Sequence, residues 1–164
     1  MTTWPMQSVL SGYDLQEMEL AYAPPFSSAK DPVNMAGYVI GNVMEGLMKP
    51  FYLEDLESIP EDAVRLDVRT VEEYAGGTIP GFINIPLDSL RERMDELDLT
   101  KDIYITCQIG LRGYLAQRIL DQAGARTWNL SGGYRFYEMM AKDEQSMAAA
   151  MTMCTECGME VNAK

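Results

Sequence analysis

Between Phe51 and Met140, short apolar runs alternate with stretches of helical period, joined by connections of only a few residues. Strand-like runs fall at 64–68, 82–85, 102–106 and 126–130; helical periods fall at 71–74, 87–97, 114–120 and 134–140, after a helical turn at 53–56. Glycine pairs at 76–77 and 132–133 punctuate the series. A strand that hands over to a helix before the next strand pairs in parallel with its successor, because the helix carries the chain back across the sheet. The pattern therefore predicts an α/β fold, a mostly parallel β-sheet flanked by helices on both faces. In such sheets ligands gather beyond the carboxyl ends of the strands.

One such end carries the chemistry. The strand at 102–106 runs into Cys107-Gln108-Ile109-Gly110-Leu111-Arg112-Gly113 and then into a helix. Gly110 and Gly113 let this loop curl tightly, so that successive backbone N–H groups turn inward near the helix N-terminus and hold negative charge. A cysteine in that field is favoured as the thiolate. Histidine is absent from the chain, which removes Cys-His and Ser-His-Asp catalysis and every histidine metal site. Activation of Cys107 must then come from backbone N–H groups.

The flanks differ in texture. Residues 1 to about 30 read as irregular, with Pro24-Pro25 and Ser27-Ser28; Asp31-Pro32 then cap a helix expected over 33–48 despite three glycines. From about 143 the chain turns to Ala, Met, Gln and Ser and ends in Cys154-x-x-Cys157-Gly158, read as a flexible tail. The expected organisation is a partial segment at 1–49, one domain at 50–142 and the tail at 143–164. A net charge of −12 argues against nucleic acid and anionic membrane as partners. No leader and no run of about 20 apolar residues is read, and three cysteines do not make a disulfide framework, so a cytoplasmic setting is expected.

Four motifs in order carry a resemblance to the rhodanese domain: Leu66-Asp67-Val68-Arg69-Thr70-Val71-Glu72-Glu73-Tyr74, Ile79-Pro80-Gly81-Phe82-Ile83-Asn84-Ile85-Pro86, the 107–113 loop, and Asn129-Leu130-Ser131-Gly132-Gly133-Tyr134. Thr78 stands where that family usually has histidine. The front segment, 14–37 with Ala21-Tyr22-Ala23-Pro24-Pro25, resembles the end of the dimerisation domain of coenzyme A disulfide reductases and NADH oxidases. The resemblance implies a role for Tyr22 at a subunit interface near a coenzyme A thiolate; without the flavin domain it reads as a packing or interface residue. No Gly-x-Gly-x-x-Gly follows a strand, so no cofactor is expected in this chain, and FAD and NAD would enter only with a missing reductase domain. A homodimer or a flavin reductase partner through the front segment is the implied assembly.

Loop length sorts the reactions. Four residues separate Cys107 from Arg112, one fewer than in the tyrosine-phosphatase signature, and the narrower cradle suits a persulfide better than a tetrahedral oxyanion. The leading expectation is a sulfurtransferase: Cys107 takes sulfane sulfur from a small-molecule donor and yields it to a thiol or cyanide acceptor, with the 108–113 loop holding the terminal sulfur. Arg112 is expected to brace the loop against a carboxylate such as Asp67 or Glu73, ahead of binding substrate. Asp67 and Arg69 are read as supporting residues of a strand-to-helix turn. The alternatives are a buried inert thiol, a non-catalytic or sulfur-carrier module working with a flavin-dependent disulfide reductase, and a phosphatase or arsenate reductase. No metal site is expected, since Cys154 and Cys157 supply two ligands where tetrahedral zinc takes four; a dithiol resolving the Cys107 persulfide is a further option.

Overall fold

The computed structural model describes residues 10–20 and 31–156, with side chains described as far as residue 147. The chain divides into two compact units, 1–49 and 50–164. In the first, α1 (Gly12–Glu17) packs on α2 (Pro32–Met44). Asp31 caps α2 with Pro32 in its first turn, as the sequence predicts. The glycines are the contact surface: Gly37 and Gly41 are buried, and a Cβ at either would collide with α1. Asn34 Nδ2 lies 3.1 Å and 2.9 Å from the Leu15 and Met18 carbonyls, capping the end of α1 from its neighbour. Reading the front as irregular overlooked α1. Its signal was Ser11-x-x-Asp14, a reciprocal cap in which Ser11 N–H donates to the Asp14 carboxylate at 2.7 Å.

The second unit holds a five-stranded sheet of order β1-β5-β4-β2-β3, every pair parallel. The strands are β1 (Pro50–Phe51), β2 (Val64–Asp67), β3 (Ile83–Asn84), β4 (Asp102–Thr106) and β5 (Arg126–Leu130). Between and after them run α3 (Val71–Ala75), α4 (Leu111–Gln122) and α5 (Gly133–Glu156). Alternation along the strands feeds two cores. Ile103 and Ile105 of β4 join Leu66, Ala116 and Leu120 in one. Tyr104 points the other way, into a cluster with Phe51, Leu130, Trp128, Tyr134 and Tyr137. The parallel sheet with helices on both faces is thus the observed architecture.

Two expectations are corrected. No helix spans 87–97; the chain makes two 3-10 turns, Leu87–Ser89 and Met94–Glu96, that bury Leu90 and Leu97. Asp95, Glu96 and Asp98 would crowd the negative end of a helix here, which the macrodipole disfavours. The tail expected from 143 is instead helical through Glu156, because Ala, Met, Gln and Glu are strong helix formers that extend α5. Residues 157–164 lie outside the described residues.

Register sets up the site. Asp67 is level with Thr106 and with Asn84, so the connections leaving β2 and β4 emerge side by side at one edge of the sheet.

Candidate functional site

Cys107 follows directly on β4 and is 1% exposed. The loop beyond it doubles back at Gly110, which caps α4 with φ 111° and ψ −30°, a conformation that side-chain-bearing residues avoid. The fold brings the Gly110 N–H onto the Cys107 Sγ at 3.0 Å. The next three amides, of Leu111, Arg112 and Gly113, form the first turn of α4 and have no intrahelical acceptor. The sulfur therefore sits at the positive end of a twelve-residue helix, facing donors.

The loop's carbonyls are drawn the opposite way by α5. Tyr134 N–H donates to the Cys107 carbonyl at 2.8 Å and Arg135 N–H to that of Gln108 at 3.1 Å. Gly133, at φ 62°, lies so close to the Cys107 carbonyl that a Cβ there would collide with it. The sequence assigns Gly132 and Gly133 to a turn; the contact with the cysteine loop is long-range and has no local signature.

Two arginines stand behind the loop, each already committed. Asp67 and Arg69 are buried together, with Arg69 Nη2 2.7 Å from Asp67 Oδ2 and Arg69 Nε 3.0 Å from the same oxygen. The remaining guanidinium hydrogens reach the Gly77 carbonyl at 2.7 Å, the Glu73 carbonyl at 3.3 Å and Gln108 Oε1 at 3.5 Å. The Tyr134 ring lies beneath, 3.8 Å from the guanidinium carbon. Arg69 thus joins β2, α3 and the cysteine loop. Arg112 makes a bidentate pair with Glu73, at 2.7 Å and 2.8 Å, choosing that carboxylate over Asp67.

Glu73 also accepts Thr70 N–H at 2.9 Å, closing the capping box of α3. The Arg112 hydrogen bond, above all, holds its carboxyl near 2, well below the ordinary 4.5. A carboxyl with a depressed folded-state pKa adds stability that is complete above its unfolded value and is lost as pH falls through the folded one. Glu73→Gln should accordingly be less stable than wild type at neutral pH, the gap closing between about pH 4.5 and about pH 2. The pair is about a third exposed, so screening keeps the gap small. Urea midpoints across that range test this, and a pH-independent gap would refute it.

The rim is apolar. Ile109 and Leu111 are 62% and 65% exposed, while Gln108 is half-buried against Arg69. Gly113 is buried in α4 and makes room for Asn129 of β5, whose Nδ2 donates to the Gly110 carbonyl at 3.0 Å. Asn129 stands in one of the four motifs, yet its role needs the β5-to-loop contact to be seen. Tyr22 lies outside the described residues. Position 154 lies on α5, beyond the residues whose side chains are described.

Residues 53–139 match the rhodanese-like domain family, more than half of the chain. The chain belongs to that family. The chain is similar in structure to reduced CoADR-RHD of Bacillus anthracis, with 47% identity and a TM-score of 0.74. It is also similar to an NAD-dependent persulfide reductase from A. fulgidus, with 40% identity and a TM-score of 0.67. Each likeness covers 78% of this chain and 23% of the other, so the chain spans about a quarter of those reductases. A sulfurtransferase of Allochromatium vinosum is 39% identical over 74 residues, 44% of this chain and 69% of its own. The rhodanese-like domain and the reductase relatives are those that the sequence motifs resemble. No helix among the described residues is long and apolar enough to cross a membrane.

Proposed function

We propose that this rhodanese-like domain is a sulfurtransferase that carries sulfane sulfur on Cys107. The observation that carries the reading is the Gly110 N–H on the Cys107 sulfur, at the mouth of a helix whose first amides lack acceptors. The thiolate attacks the outer sulfur of a donor R–S–SH; the S–S bond breaks, R–S⁻ leaves with the electron pair, and Cys107 becomes Cys–S–SH. Cyanide or a thiolate then attacks the outer sulfur, leaving as thiocyanate or a new persulfide, and Cys107 is restored. Loop N–H groups hold the charge on the terminal sulfur, as an oxyanion hole holds oxygen. Gln108, Ile109, Gly110, Leu111, Arg112 and Gly113 form the binding loop; Asp67 and Arg69 support it from behind.

The bidentate tie of Arg112 to Glu73 favours bracing over phosphate capture, and the short loop adds to the case against a phosphatase. No cofactor is needed for the transfer itself. FAD and NAD belong to the proposal only if a reductase supplies them, and the likeness to two reductases supports a second reading: a sulfur-carrier module that passes persulfide sulfur to a flavin reductase partner, engaged through the front segment. A reducing compartment such as the cytoplasm suits a free Cys107 thiol.

The test is a donor panel of thiosulfate, glutathione persulfide and coenzyme A persulfide, with cyanide and glutathione as acceptors and an aryl phosphate as control. Mass spectrometry should find one added sulfur on Cys107 after donor alone. Turnover of the aryl phosphate without any sulfur adduct would overturn the proposal. Adduct formation with slow release to small thiols but fast release to a reductase would select the carrier reading.

A further inference from the structure

We infer that Asn129 is a positioning residue of the sulfur cradle, acting through the Gly110 peptide; the inference rests on the sulfur-transfer reading of Cys107. Asn129 is 5% exposed on an interior strand, level with Ile105 of β4 and Pro50 of β1. Its Nδ2 donates to the Gly110 carbonyl, which also accepts Tyr114 N–H at 2.9 Å. A peptide unit is planar and trans, so fixing that carbonyl aims the Leu111 N–H in the opposite direction, out of the helix start, the end at which the Gly110 N–H meets the sulfur. Gly110 has no Cβ to restrain it, and at φ 111° its backbone is free to turn. The α4 hydrogen bond from Tyr114 restrains the carbonyl locally, and Asn129 adds a second hold from another part of the chain.

Two further observations show that the arrangement is maintained at a cost. Asn129 Oδ1 is buried and has no hydrogen-bond partner among the described residues. An unpaired buried carbonyl destabilises a fold, and an apolar side chain of similar size would avoid the penalty. The reversed amide gives no relief, because it would set Oδ1 against the Gly110 carbonyl oxygen. Gly113, in addition, is the residue whose missing side chain admits the carboxamide: a Cβ there would collide with it. Gly113 and Asn129 of two separate motifs therefore form one device, whose product is a fixed orientation of the loop amides.

A residue kept for stability should lose stability on replacement, whereas this one should lose rate. Asn129→Leu removes the donor together with the unpaired oxygen, and Asn129→Val does the same with a smaller, β-branched side chain suited to a strand. In the full chain, both should keep KM for glutathione persulfide within about twofold while kcat to cyanide falls by about tenfold or more, less than or equal to the loss of a direct oxyanion donor. The Cys107 persulfide, followed by mass spectrometry after donor removal, should decay faster by a similar factor. Asn129→Leu should melt no lower than wild type. Wild-type kcat and persulfide lifetime in both variants would overturn the inference, as would a kcat loss that disappears when each is assayed well below its own Tm. If wild type itself forms no persulfide, the sulfur-transfer reading fails and the inference falls with it.

Discussion

Cys107→Ser is expected to reduce sulfane-sulfur transfer to background while leaving the fold intact. The side chain is 1% exposed and belongs to the core cluster on the α4 face of the sheet, so its volume matters; serine is close in size and can accept the Gly110 N–H that now meets sulfur. Retained secondary structure and a Tm within a few degrees of wild type are the expected controls, since one small buried polar substitution with a partner available costs about 1 kcal/mol. Loss of rate should be complete because an alkoxide equivalent cannot store sulfane sulfur, and no histidine exists in the chain to activate the hydroxyl. Peptide mapping after incubation with glutathione persulfide should find no added sulfur at position 107. Undiminished thiocyanate production by the variant would end the proposal that sulfur passes through Cys107. The same variant also separates the carrier reading from a docking module, because a module that only docks would keep its effect on a partner reductase without the sulfur.

Local pattern is enough to place this cysteine at the end of a strand. β4, the cysteine loop and α4 each declare themselves within a few residues: an alternating apolar run, a glycine-bearing loop, a helical period. The sheet's parallel order follows from the alternation itself. β1 was missed because two residues, Pro50 and Phe51, carry no periodicity; they are held in the sheet by β5, with Ser131 N–H donating to the Phe51 carbonyl at 2.9 Å. Between 87 and 97, leucine and methionine spacing resembles a helix because consecutive tight turns bury residues at similar intervals. The braces around the loop were legible by type but not by partner. Charge chemistry required a carboxylate for Arg112, and Glu73 and Asp67 both qualified; only the adjacency of α3 to the loop chooses Glu73. Asn129, Gly133 and Tyr134 meet the loop from β5 and α5, across separations that no local window spans. Such contacts are decided by the packing of the whole sheet.

The largest structural effect should come from Asp67→Ala. Asp67 is 0% exposed and Arg69 1%, and the carboxylate takes the Arg69 backbone N–H at 2.9 Å as well as two sides of the guanidinium. Removing it leaves a positive charge in the interior with the Gly77 and Glu73 carbonyls, Gln108 and the Tyr134 ring as its remaining company. Truncating one partner of a buried ion pair typically costs about 3–5 kcal/mol, whereas replacing both by apolar residues can be neutral. The variant should therefore melt more than about 10 °C below wild type. Arg69→Met combined with Asp67→Leu should recover part of that loss, and a cycle completed with each of these two substitutions alone would report the coupling. Recovery of stability should not restore transfer, because Arg69 is also the link between Gln108 and the α3 carbonyl of Glu73, and without it the loop loses its anchor to β2. A single mutant within about 1 kcal/mol of wild type would mean that the pair's attraction barely exceeds its desolvation cost. A double mutant with full stability and full transfer would mean that the loop stands without the Asp67–Arg69 pair, on Arg112 with Glu73 and on its contacts with β5 and α5.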